Sequence, residues 1–262
     1  VTTFGSSSDI KRANNQFGFQ SISSTLDYTE TGNGVQTTPA GILDTENGSV
    51  PGNAIYLCIM KNWLFGNDYF KASYDKSSGQ TKYVGASLNL PNGPAGPYGS
   101  IVGTSGAIFK NYSLRYGKGF AMLGSSMLTP YIEVGNHIWD RGVNYGELYS
   151  HNYSGLGILN QYSLKRGMVL SVDVLYGHTS QSAIVVASGG QITGFTAGLG
   201  DSVFYRAGVS VDIPVVQGVY LTTGIDYSAF DYGISAASAS GLLEPDSRSS
   251  YTTFRLGLGL GF

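Results

Sequence analysis

The final stretch of the chain, YTTFRLGLGLGF (251–262), separates into two interleaved series. Thr252, Phe254, Leu256, Leu258, Leu260 and Phe262 make one; Tyr251, Thr253, Arg255, Gly257, Gly259 and Gly261 make the other. Successive side chains of a strand point to opposite faces. As a strand, this segment is apolar on one face, carries glycine and arginine on the other, and ends on an aromatic ring.

The same alternation recurs upstream, and helix signals are almost absent. Val203, Tyr205, Ala207, Val209, Val211 and Ile213 oppose Phe204, Arg206, Gly208, Ser210 and Asp212; Val219, Leu221, Thr223, Ile225 and Tyr227 oppose Tyr220, Thr222, Gly224, Asp226 and Ser228. Met168, Leu170, Val172, Val174 and Tyr176 oppose Val169, Ser171, Asp173, Leu175 and Gly177, and Leu128, Ile132, Val134 and Ile138 oppose Thr129, Tyr131, Glu133, Gly135 and His137. The pattern predicts about ten strands, near 16–29, 54–66, 69–77, 106–120, 127–139, 150–163, 167–179, 201–214, 218–231 and 250–262, with eight or twelve as the alternatives. Connections alternate between short (66–68, 121–126, 164–167, 215–218) and long (30–53, 78–105, 140–149, 180–200, 232–249). All short turns therefore fall at one end and all long loops at the other, as in a transmembrane barrel.

Composition agrees. Only 12% of the 262 residues are charged, about half the usual share, while there are 38 glycines and 19 tyrosines. A net charge of −2 gives no reason to expect nucleic-acid binding, and a single cysteine, Cys58, excludes a disulfide framework. No apolar run reaches the ~18 residues of a membrane-spanning helix. The chain begins at Val1 without a signal-peptide pattern, which is expected of a mature chain whose leader has been removed. The competing soluble sandwich or barrel would place the apolar face inward. Against it stand polar faces poor in Lys and Glu, and two groups of apolar-face aromatics: Phe70, Phe120, Tyr162 and Phe262 near the short turns, Tyr28, Tyr176, Tyr205 and Tyr227 nearer the loops. Two aromatic girdles around an apolar band suit a bilayer.

On Phe254, Leu256, Leu258, Leu260 and the terminal Phe262, the chain resembles the bacterial outer-membrane β-barrel proteins. In that family such a last strand is the assembly signal read by the barrel-assembly machinery. The resemblance implies an all-β, single antiparallel transmembrane β-barrel over 1–262 in the outer membrane of a Gram-negative cell envelope, exposed at the cell surface, with 1–15 as a short N-terminal segment on the periplasmic side. Outer-membrane lipids and lipopolysaccharide are then its expected partners. Autotransporter translocator domains are similar in length and terminus but carry an N-terminal helix, and residues 1–16, with Ser6–Ser8 and Asn14–Asn15, make a poor one.

Seven charges lie on the inward series at similar heights: Asp75, Arg115, Glu133, Asp173, Arg206, Asp226 and Arg255. Signs alternate between most neighbouring strands, and opposite charges attract across strands. The expectation is a charge network that narrows the lumen, with Asp226 bridging Arg206 and Arg255. The alternative is a porin-like constriction that selects small solutes. A barrel of about eight strands is filled by its own side chains, whereas wide channels need ~16, which favours the first. A third reading, a surface hydrolase using rim residues, rests on thin signals. His178-Thr179-Ser180 has a spacing similar to that of outer-membrane lipid A deacylases, and the ten-strand omptin proteases resemble the chain in strand count, but no Asp-x-His is found. His137 and His151 could approach each other across the 140–149 hairpin and Asp140 or Glu147 could join them, but zinc wants three or four ligands and two histidines on adjacent strand tops are more often incidental than a ligand pair. No enzyme, metal or cofactor is expected. Three uncharged stretches, 90–109, 183–200 and 234–243, suit loops that fold over the mouth, pack on one another or dock a protein partner.

Overall fold

The computed structural model describes residues 5–34, 39–87, 96–122, 124–190, 192–239 and 241–262. One short helix, α1 (Ser7–Ala13), precedes strands β1 (Gln16–Gly32), β2 (Gly41–Lys61), β3 (Asp68–Gly85), β4 (Ile101–Lys118), β5 (Phe120–Ala121), β6 (Ser126–Arg141), β7 (Glu147–Ser163), β8 (Val169–Val186), β9 (Phe195–Gly198), β10 (Val203–Val216), β11 (Val219–Tyr232) and β12 (Asp246–Gly261). Ten of these close an antiparallel barrel in chain order, β8 pairing with β10 and β12 with β1. β5 continues β4 and pairs with β6; β9 pairs with the loop end of β8. Each of these ten strands is paired on both sides, the condition for a sheet to sit in hydrocarbon, where each orphaned backbone group costs several kcal/mol; the short β9, at the loop end, pairs with β8 alone.

The faces run as the alternation predicts. Phe254, Leu256, Leu258 and Leu260 lie on the outside, the last 55% exposed, and so do Ile132, Val134, Val172, Val174, Val209 and Ile225. Glu133, Arg115 and Thr222 are buried inside. This is a soluble barrel turned inside out. Inward glycines make the filled interior possible. Tyr131 of β6 lies opposite Gly157 of β7, and Tyr153 of β7 opposite Gly135 of β6. A Cβ at Gly157 would fall 2.1 Å from the Tyr131 ring, and one at Gly135 would fall 2.3 Å from the Tyr153 ring. Each glycine is the space its neighbour's ring occupies. At the tightest hairpin, Val216 pairs with Val219, and Gly218 takes the left-handed φ of 74° that the two-residue turn requires.

Four expectations need correction. The strands run further toward the loop end than predicted: 41–53, 78–85 and 101–105 are ladder, and the 140–149 connection shrinks to 142–146. These parts alternate without being apolar, so a hydrophobicity pattern truncates them. Conversely, Trp63, Leu64 and Phe65 do not end β2 but form an exposed turn, where the Asp68 carboxylate accepts their three backbone N–H groups. Tyr28 is fully buried in the interior rather than part of the outer girdle. The N-terminal segment does form a helix. The Ser6 N–H donates to the Asp9 carboxylate at 2.8 Å, and Ile10 and Ala13 are buried; capping and burial outweigh weak propensity. No helix among the described residues is long and apolar enough to cross a membrane.

Candidate functional site

The interior is occupied in successive layers. At the short-turn end sits α1, fixed by Asn14 Nδ2 donating to Gln161 Oε1 (2.6 Å) and by Asn15, which exchanges two hydrogen bonds with the Met60 backbone. Above it is a cavity of about 210 Å³ whose lining includes Gln16, Lys71, Asp75, Asp212 and Asp226.

The predicted charges surround this cavity in three groups. Arg115 bridges Glu133 and Asp173, at 2.8 Å each, and its guanidinium lies 3.8 Å from the centre of the Tyr131 ring. Arg206 reaches across to the same Glu133 oxygen at 2.8 Å, while the Tyr153 hydroxyl donates to the other Glu133 oxygen. Arg255 pairs with Asp226 at 2.6 Å. Asp75 accepts from Asn111 Nδ2 at 2.7 Å and stands apart from the ion pairs. The expected Asp226 bridge between Arg206 and Arg255 does not form. Asp226 lies opposite Gly208 rather than Arg206, and a long guanidinium reaches a carboxylate across the lumen as readily as one on the next strand.

A layer of rings follows. Tyr153 stacks on Phe204 with centroids 4.4 Å apart, His151 meets Phe230 edge-on at 4.4 Å, and Phe109 meets Tyr251 at 5.2 Å. His137 and His151, opposite each other on β6 and β7, have centroids 5.2 Å apart and are both buried. His137 bonds Asn111 and the Tyr251 hydroxyl, and His151 bonds the Tyr232 hydroxyl. Asp140 is exposed on the opposite face of β6 and does not join them. Among the described residues no three His, Cys, Asp or Glu side chains are grouped to hold a metal ion. His178 and Ser180 point outward, and Cys58 is buried and free.

At the loop end is a charge centre that sequence reading missed. Arg141 is 1% exposed and pairs with Glu46 (2.6 Å), Asp44 (3.0 Å) and Glu147 (3.0 Å), with the Tyr28, Tyr83 and Trp139 rings around it. Thr81 donates to Glu46, and the Tyr149 hydroxyl donates to Glu244, carried by the β11–β12 loop. Burial first, and then the charge of Glu147, push the Glu244 carboxyl well above the ordinary carboxylate range. Glu147 has the Arg141 guanidinium directly, whereas Glu244 is bonded by a neutral hydroxyl. The signal was present in the parity: Asp44 and Glu46 continue the even, inward series of β2, and Arg141 the odd, inward series of β6. The β9 segment and the buried Leu199 fold over the same mouth, where Phe195 and Ala197 pack on the buried cluster. Of the three uncharged stretches, 183–200 is thus partly β8 ladder and partly this cover, 101–109 is β4 ladder with 90–95 outside the described residues, and 234–243, apart from 240, which is also outside them, belongs to the β11–β12 loop.

Comparison with solved structures agrees with this architecture. The outer-membrane protease OmpT of Escherichia coli superposes with a TM-score of 0.61 over 94% of this chain and 95% of its own, at 10% sequence identity. The β domain of the Bordetella autotransporter BrkA aligns over 95% and 100% of the two chains (12% identity, TM-score 0.43), and neisserial surface protein A over 94% and 97% (11%, 0.32). No family model and no curated protein matches the chain. The likeness to OmpT at 10% identity is one of backbone and transfers no residue's role: the chain has the fold of a bacterial outer-membrane β-barrel.

Proposed function

We propose that the chain is an integral outer-membrane barrel that neither catalyses nor conducts, and serves as a structural or surface-interaction element of the cell envelope. The observation that supports this is what crosses the lumen on either side of the cavity: α1 at the short-turn end, and the ring layer and the Arg141 cluster toward the loops, with the Arg115–Glu133–Arg206 ion pairs lining the cavity between them. Each layer is held by charged or neutral hydrogen bonds of its own, so opening one leaves the others in place. The bonded histidine nitrogens meet neutral amide and hydroxyl groups, not the carboxylate that orients a general base. Planar-bilayer recording of the refolded chain tests the reading. Silence is expected, and also from a chain lacking residues 1–14. Steady ion conductance of the intact chain would replace this reading with that of a narrow channel, for which the 210 Å³ cavity is the natural passage.

A further inference from the structure

Lys76 of β3 and Lys110 of β4 are directly opposite each other on the outer surface. Cross-strand partners have Cβ atoms roughly 4.5–5.5 Å apart, and like charges there repel. Neither ammonium has an ion-pair or hydrogen-bond partner among the described residues. Asp140 is the acidic group nearest in register, beyond the Ile138 that faces Lys110, and it makes no ion pair. The position is specific. The row immediately toward the short turns on this face is Ile55, Tyr74 and Tyr112, the two phenol rings 4.8 Å apart. The lysine row itself begins with Ser21 and Asn53. On β3 the outer face is polar from this row toward the loops, with Ser78, Gln80 and Lys82, while on β4 Ile108 follows Lys110 and Ile138 of β6 faces it. A lysine stem lies along apolar surface while its head reaches the interface. A repelling pair at that height is relieved by an anion between the two heads.

We propose that Lys76 and Lys110 clamp the phosphate of a glycolipid headgroup in the leaflet on the long-loop side. A phosphomonoester presents close to two negative charges to two positive ones. Lysine binds such a group as a mobile point charge, without the planar fork of arginine, and Tyr74 and Tyr112 stand beneath it at the level of the upper acyl chains. This rests on the membrane-barrel reading and adds to it a site and a lipid class.

The test compares the wild type, Lys76→Gln/Lys110→Gln and Lys110→Glu, each refolded into phosphatidylcholine vesicles alone or with bisphosphorylated lipid A, lipid A stripped of its phosphates, or phosphatidylglycerol. The readout is the temperature at which the heat-modifiable folded band is lost. Lipid A should raise the wild-type midpoint, with little effect once its phosphates are removed, and a smaller rise should come from phosphatidylglycerol. The double glutamine variant should lose that response. Lys110→Glu converts repulsion into attraction, so it should exceed the wild type in phosphatidylcholine alone and gain nothing from lipid A. An equal lipid A response in wild type and double variant would overturn the site. An equal rise with phosphatidylglycerol would overturn the assignment to a glycolipid phosphate. Folding in phosphatidylcholine alone tests the membrane-barrel reading separately, and a chain that folds in no vesicle overturns that reading and the site with it.

Discussion

Adjacent residues on β10 show how sharply the two faces differ. Val209 is 45% exposed on the outer surface, while its neighbour Gly208 faces inward, where a Cβ would fall 2.1 Å from an Asp226 carboxylate oxygen. Val209→Arg should cost ~2–4 kcal/mol, the penalty for a cation near the bilayer midplane. Gly208→Ala should destabilise for another reason, by displacing Asp226 from Arg255. Unfolding free energies in lipid vesicles check both, and full tolerance of arginine at 209 would reverse the assigned faces. Arg141 gives the complementary case. Arg141→Ala strands Asp44, Glu46 and Glu147 without their cation, and the expected loss is ~3–5 kcal/mol, as for a buried pair deprived of one partner. Adding Glu46→Gln should recover part of it. A loss below ~1 kcal/mol, the range of exposed pairs, would mean that the cluster is solvated.

Among the elements, the β11–β12 loop is the one whose closure should respond to pH. Its anchor is Glu244, 6% exposed and bonded by the Tyr149 hydroxyl, with Glu147, Asp44, Glu30, Tyr28 and Arg141 around it. A carboxyl whose closed-state pKa is raised binds a proton when closed that it releases when open. Closure is therefore strongest below the open-state value near 4.5 and weakens as pH rises toward the raised value. Amide exchange across 233–245 should speed up as pH rises, after correction for intrinsic rates, and Glu244→Gln should hold the loop closed at all pH values. Protection that improves with pH would contradict the assigned proton. At the other end, α1 contributes burial of Ile10 and Ala13 and the Asn14–Gln161 amide pair. Removing residues 1–14 should lower the unfolding temperature without opening a conducting path.

For the whole molecule, the last strand closes the barrel. β12 pairs with β1 along its entire length and with β11 on its other side. Phe262 adds little to that closure. Its N–H donates to the Asn15 carbonyl, its ring is 62% exposed, and Lys61 lies 5.7 Å from the ring centre. Deleting Phe262 should thus leave the stability of the refolded barrel nearly unchanged while reducing the amount of heat-modifiable protein that assembles in cells. Equal assembly in cells would remove the terminal residue from the assembly signal.

How much was legible depends on the physical range of each cause. Strand parity is local: every second residue of 251–262, and of β6, β8, β10 and β11, declares its face, and the count of ten strands follows from the turns between them. The limits of β2, β3 and β4 were not legible, because above the apolar band both faces are polar and hydrophobic periodicity falls silent while the hydrogen-bonded ladder continues. For the same reason Arg141 and its three carboxylates looked like loop residues. The partners of the inward charges depend on distances across the lumen, set by strand tilt and stagger. Sequence placed Arg206 beside Asp226 on neighbouring strands, yet its guanidinium is bound to Glu133, three strands away on β6. The sequence by itself determined which face of β6, β8, β10, β11 and β12 looks into the barrel. Only the tertiary structure decided which inward charges meet, because pairing across a barrel is fixed by closure and not by neighbourhood in the chain.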